Sequence, residues 1–132
     1  SVFSLATEDV DELLEGKGTR SGVARFCLHD PAESNINVMA LVQEPGTVSR
    51  FKAHKMRSKI YIHLRGTLYI DIADQDGATV STIECSLQSQ QVVFVPPGVF
   101  HRTRVGDVRS VFVEVLDGPY MSEKEDRTYL AI

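Results

Sequence analysis

One short stretch carries the densest chemistry in the chain: Lys59, Tyr61 and His63 stand two apart, with Lys52 and His54 just upstream and His101 far downstream. An imidazole can serve as a general base or a metal ligand, a phenol can donate a proton, and an ammonium can stabilise an enolate or hold a phosphate. Alternate residues of a strand share a face, so Lys59, Tyr61 and His63 point one way and Ile60, Ile62 and Leu64 the other. Taken by themselves, these residues send the Ile-Ile-Leu face to the core and leave Lys, Tyr and His in water.

The elements that must position them are short and rich in Val, Ile, Phe and Tyr. Period-two segments run over 23–28, 36–43, 49–54, 59–64, 67–73, 79–86, 91–95 and 110–116. Turn chemistry separates them at Pro45-Gly46, Arg65-Gly66, Asp76-Gly77, Pro97-Gly98 and Gly118-Pro119. Eight to ten such strands predict a β-sandwich or barrel. One helix precedes them: Thr7 caps it, Glu8, Asp9 and Asp11 fill its first turn, Val10, Leu13 and Leu14 have helical spacing, and Gly16 and Gly18 end it. Asp74, Asp76 and Gly77 read as a hairpin turn rather than a calcium loop. The charged run Glu123 to Arg127 reads as a solvated tail.

Composition narrows the function classes. With 132 residues, 42% of them hydrophobic, the chain has material for one core. Lys+Arg 14 against Asp+Glu 18 leaves a net charge of −4, which argues against nucleic acid or an anionic membrane as partner. Apolar runs are strand-sized and no secretory signature opens the chain, so a cytoplasmic location is expected. The chain begins at Ser1 rather than Met, which leaves a segment upstream open. Cys27 and Cys85 are too few and too far apart for a disulfide framework or a cysteine zinc cage, and both are expected to be at least half-buried.

Val95-Pro96-Pro97-Gly98-Val99-Phe100-His101 has the P-x-G-x-x-H pattern of the second cupin motif, and Pro45-Gly46-Thr47 through His54 to Gly66 has the outline of the first. With Ala24 to His29, Met39, Asp76-Gly77, Glu114 and Gly118-Pro119-Tyr120, the chain resembles the WbuC family of cupin-fold proteins over nearly its whole length. The resemblance implies an all-β fold, the cupin double-stranded β-helix or jelly-roll barrel, with a short N-terminal helix. One domain spans 1–132: helix and linker over 1–22, barrel over 23–120, tail over 121–132. The family, found largely among surface-polysaccharide genes, holds a metal with an H-x-H step, a Glu five residues on and the His of motif two. Here the step reads Lys52-Ala53-His54 and the Glu position holds Lys59, so only His54 and His101 remain. Two ammonium groups beside a dication disfavour an ordinary metal, and no cofactor is expected; the alternative is a divalent transition metal on His54 and His101, with His63 as a third nitrogen.

If Lys59 stands at the ligand position, the parity reverses and Tyr61 and His63 also line the barrel. The apolar stripe Ile60, Ile62 and Leu64 must then be covered by the N-terminal segment or a second copy, and a homodimer is expected. The pocket becomes cationic and suits a small anionic metabolite related to carbohydrate, held by Lys52, Lys59 and Arg50 at the mouth. Binding should weaken as histidines lose protons above about pH 6.5. In a metal-independent isomerase or epimerase, His54, His63 or His101 would be the base and Tyr61 the proton donor, with Glu114 or Glu84 available to orient an imidazole. A non-catalytic binding cupin and a metal-dependent enzyme using His54 and His101 are the other readings. His29, after an apolar strand, reads as structural.

Overall fold

The computed structural model describes residues 4–15, 23–28, 34–118 and 126–130. In chain order the elements are α1 (Thr7–Glu15), β1 (Val23–Cys27), β2 (Ile36–Gln43), β3 (Lys52–His54), β4 (Lys59–Arg65), β5 (Leu68–Ala73), β6 (Thr79–Cys85), β7 (Val92–Val95), β8 (Phe100–Val105), β9 (Ser110–Asp117) and β10 (Arg127–Tyr129). They form two five-stranded antiparallel sheets, ordered β1-β2-β9-β4-β7 and β10-β3-β8-β5-β6. Between them pack Leu41, Tyr61, Leu68, Ile70, Cys85, Val93, Val95, Val105 and Phe112.

Burial alternates along β4, with Lys59, Tyr61 and His63 inside and Ile60, Ile62 and Leu64 half-buried outside. The local reading of this strand is therefore inverted. Tyr61 joins the inter-sheet core, and the helix covers one end of the outer stripe, where Leu64 packs with Val10, Leu5, Leu13 and Leu14 around Val42 and Val111. At the other end Ile60 and Ile62 pair with Phe94 and Val92, which are 60% and 69% exposed.

Several sequence expectations are corrected. The helix is capped by Ala6, whose carbonyl accepts from Val10 N–H while its own N–H donates to the Asp9 carboxylate at 2.8 Å; Thr7 lies inside the helix. Gly16 and Gly18, like His29 and Pro119-Tyr120, lie outside the described residues. β8 and β10 carry no strong period-two apolar signal: β8 turns His101, Thr103 and Val105 inward, two of the three polar. Of the charged run, residues 123–125 lie outside the described residues, and its last two are not solvated tail: Asp126 is fully buried and Arg127 opens β10, which pairs with β3. Cys27, on an edge strand, is exposed, whereas Cys85 is buried. The hairpin at Asp74 forms as expected, its carboxylate accepting from Asp76 and Ala78 N–H, with Gly77 at φ 87.

Candidate functional site

β4, β9, β3 and β8 bring the chemistry together. Register places Tyr61 opposite Glu114 and Lys52 opposite His101, so two sheets present polar side chains to the same end of the barrel. The loop before β8 is tied to β3: Gly98, at φ 83, donates its N–H to the His54 carbonyl at 2.8 Å. Here lies a cavity of about 510 Å³, lined among others by Arg25, Gln43, Lys52, Tyr61, Thr103 and Glu114. Lys59, His54 and His101 are buried and do not themselves line it; Lys59 and His101 adjoin it through Glu114 and Tyr61.

The His54 ring is 6.2 Å from that of His101, which meets Tyr61 edge-on at 6.0 Å. His54 Nδ1 donates to Asp126 Oδ2 at 2.5 Å, and His101 Nδ1 donates to the Val99 carbonyl at 3.0 Å. These bonds set both tautomers and leave each Nε2 with a lone pair. Neither Nε2 has a hydrogen-bond partner among the described residues, although both are buried. Burial, reinforced by the nearby Lys59 charge, holds His54 down to about 4 despite Asp126, and His101 down to about 3. Both imidazoles are therefore neutral at pH 7, and the pH dependence expected from their protonation near 6.5 does not apply to them.

Lys59 Nζ lies 3.6 Å from Glu114 Oε1 and 5.2 Å from the centre of the Tyr61 ring. Burial pushes this amine down to about 7, against the pull of Glu114. Burial alone would raise Glu114, but Lys59, Lys52 and Arg25 outweigh it and keep the carboxyl below its usual range. Burial raises the Tyr61 phenol, which stays protonated and able to donate.

The expected residues thus divide. Lys52, His54, Lys59, Tyr61 and His101 converge. His63 faces inward at the opposite end of β4, four residues or roughly 13 Å from Lys59, and its Nε2 is engaged with the Gly66 carbonyl at 2.7 Å. Arg50 is exposed outside the cavity, its guanidinium 4.2 Å from the centre of the Tyr129 ring. Neither Glu114 nor the exposed Glu84 orients an imidazole. That part belongs to Asp126, which also accepts from Arg57 Nε at 2.9 Å. Burial would raise Asp126, but the bonds from Arg57 and His54 hold it below its usual range. No local pattern marks this residue, since it reaches His54 across 72 positions. Arg25, on the β1 edge, was likewise not among the expected lining.

A resident divalent metal does not fit this donor set. Two bare Nε2 atoms supply two donors where a resident site takes at least three protein ligands, and no group of three or more His, Cys, Asp or Glu among the described residues is arranged to hold an ion.

No family model matches the chain, and no curated protein does. Solved structures do. A cupin superfamily protein from Desulfitobacterium hafniense superposes with TM-score 0.60 at 15% identity, covering 76% of this chain and 82% of that one. KdgF from Halomonas sp. gives 0.65 at 13%, covering 94% and 97%. The capsular polysaccharide assembling protein CapF from Staphylococcus aureus gives 0.73 at 15%, covering 87% of this chain but 34% of CapF, so this chain spans about a third of that protein. The chain has the cupin jelly-roll fold. Among the described residues no helix is long and apolar enough to cross a membrane.

Proposed function

We propose that the protein binds a small anionic, carbohydrate-derived metabolite in the barrel cavity and carries out metal-independent proton transfer on it, as a sugar isomerase or epimerase does. One observation carries this reading: the His101 ring lies 6.0 Å from the protonated Tyr61 phenol ring and 6.2 Å from the His54 ring, both neutral imidazoles have bare Nε2 atoms, and Tyr61 lines a cavity walled by Lys52 and Arg25. His54, held by Asp126, removes a proton next to a carbonyl; Tyr61 hydrogen-bonds the carbonyl oxygen as charge develops there; Lys52 and Arg25 hold the anionic group. Likeness of fold to CapF, of capsular polysaccharide assembly, and resemblance of motif to the WbuC family support the carbohydrate setting and a place in surface-polysaccharide metabolism. The outward Phe94, Val92, Ile60 and Ile62 meet a second copy, giving a homodimer by sedimentation at micromolar concentration; a monomer there would remove this part of the proposal.

Titration with inorganic phosphate, a sugar nucleotide and a neutral sugar tests the binding, and only the two anions should produce a signal. Incubating keto-sugar phosphates in D₂O tests the chemistry. Deuterium should enter at the carbon beside the carbonyl with the wild type, and far more slowly with His54→Gln or Asp126→Asn. Binding without exchange across such a panel would leave a non-catalytic binding protein, the runner-up reading.

A further inference from the structure

A buried lysine facing a carboxylate is usually locked to it, and the distances here are not those of a lock. Glu114 Oε1 is 3.6 Å from Lys59 Nζ, whereas Asp71 on the other sheet is gripped at 2.6 and 2.8 Å by Arg104 and Arg102. At 3.6 Å the two form a long salt bridge, and a small approach lets the carboxylate take or return a proton. Glu114 and Tyr61 both line the cavity, so Lys59 Nζ lies one side chain behind its wall. On the wall itself, Lys52 and Arg25 present positive charge to whatever enters. The surroundings of an imine-forming amine are therefore assembled: desolvation, a proton carrier, a phenol donor and an anchor for an anionic group.

We propose that Lys59 condenses reversibly with the keto group of a small 2-oxo carboxylate held in the barrel cavity, forming a protonated imine. Glu114 first accepts a proton from the Lys59 ammonium. The freed amine lone pair attacks the keto carbon, and the carbonyl π pair moves to oxygen, which Tyr61 hydrogen-bonds. A second proton shifts from nitrogen to oxygen, Glu114 returns its own to the same oxygen, and water departs as the nitrogen lone pair closes the C=N bond. One C=O is exchanged for one C=N and one water, and nothing is oxidised or reduced. Burial, by pushing Lys59 down to about 7, keeps a large share of it as the nucleophilic amine near neutral pH. For its carboxylate anchor, and for that alone, this rests on the reading of the cavity as an anion site.

The probe is pyruvate with cyanoborohydride, which reduces an imine to a stable secondary amine, followed by intact mass and peptide mapping. Wild type should gain one reduced adduct, mapped to Lys59, at a rate about tenfold above that of the exposed Lys55. Lys59→Arg keeps a cation and should lose the adduct; should that variant not fold, the wild-type map alone still decides. Adducts spread over the lysines with none preferred at Lys59 would overturn the proposal. Phosphate calorimetry without reductant separates the two readings. Heat of binding with an unlabelled Lys59 removes the imine and leaves the anion site. A labelled Lys59 that phosphate neither binds near nor slows keeps the imine and removes the anion site.

Discussion

Two clusters of buried charge sit on opposite faces of the second sheet, and they are finished differently. On its outer face Asp71 accepts from Arg102 at 2.8 Å, from Arg104 at 2.6 and 3.0 Å, and from the Thr82 hydroxyl at 2.7 Å. Burial would raise this carboxyl, but those bonds hold it well below the usual carboxylate range. Both oxygens are satisfied, and the bonds cross three adjacent strands, β6, β5 and β8. On the inner face, Asp126, His54 and His101 also hydrogen-bond, yet His54 Nε2, His101 Nε2 and Asp126 Oδ1 are buried with no partner among the described residues. Unsatisfied buried polar atoms cost stability. Buried atoms without a partner among the described residues also occur at Asn37, Gln43, His63 and Arg109, so what sets this end apart is two such imidazoles 6.2 Å apart, one of them 6.0 Å from the cavity-lining Tyr61.

Asp71→Ala should lower unfolding free energy by about 2 kcal/mol, because a buried carboxylate's charge-assisted bonds are lost although the two guanidiniums, 29% and 35% exposed, can turn to water, and should leave phosphate affinity unchanged. Chemical denaturation alongside calorimetry measures both, and a loss of binding would show that the outer cluster is not purely structural.

Acid titration sharpens the inner side. His54 and His101 have folded pKa values of about 4 and 3 against 6.5 for the unfolded chain. Between those limits the unfolded chain binds more protons, so stability is intact above pH 6.5 and falls as pH drops toward 4, by on the order of 2 kcal/mol per histidine. Urea midpoints measured from pH 7 to pH 4 should fall, and His101→Gln should flatten the curve. An unchanged slope in that variant would mean His101 is not held neutral by burial.

Lys52→Ala should weaken phosphate binding about tenfold, about 1.4 kcal/mol, with little effect on the denaturation midpoint. Equal affinity would take the cavity wall out of the anion site. The smallest effect belongs to Arg50→Ala: about 0.5 kcal/mol of stability from its stacking on Tyr129, and none on phosphate affinity. A drop in affinity there would put the site's mouth where the sequence alone suggested it.

Glycine turns, period-two segments and the P-x-G-x-x-H stretch made most strands and the jelly roll legible, because backbone conformation and alternation are written locally. β8 and β10 escaped because their inward residues are largely polar, and polarity at an inward position is what a site requires. The same reason hid Asp126, whose charged neighbours read as solvent-facing.

The residue types at Lys52, His54, Lys59, Tyr61 and His101, and the strand parity that ties Lys59 to Tyr61, were determined by the sequence alone. Which face of β4 turns inward was not legible from strand parity, because Ile60, Ile62 and Leu64 would fill a core equally well; the motif resemblance alone pointed to the face that is buried. The packing of α1 over Leu64 and the pairing of β4 between β7 and β9 decide it. Only the tertiary structure could separate His63 from the other histidines, seat Glu114 against Lys59 and bring Asp126 to His54. Such contacts join residues up to 72 positions apart, and burial, which sets each group's protonation, is a property of the folded neighbourhood rather than of residue type.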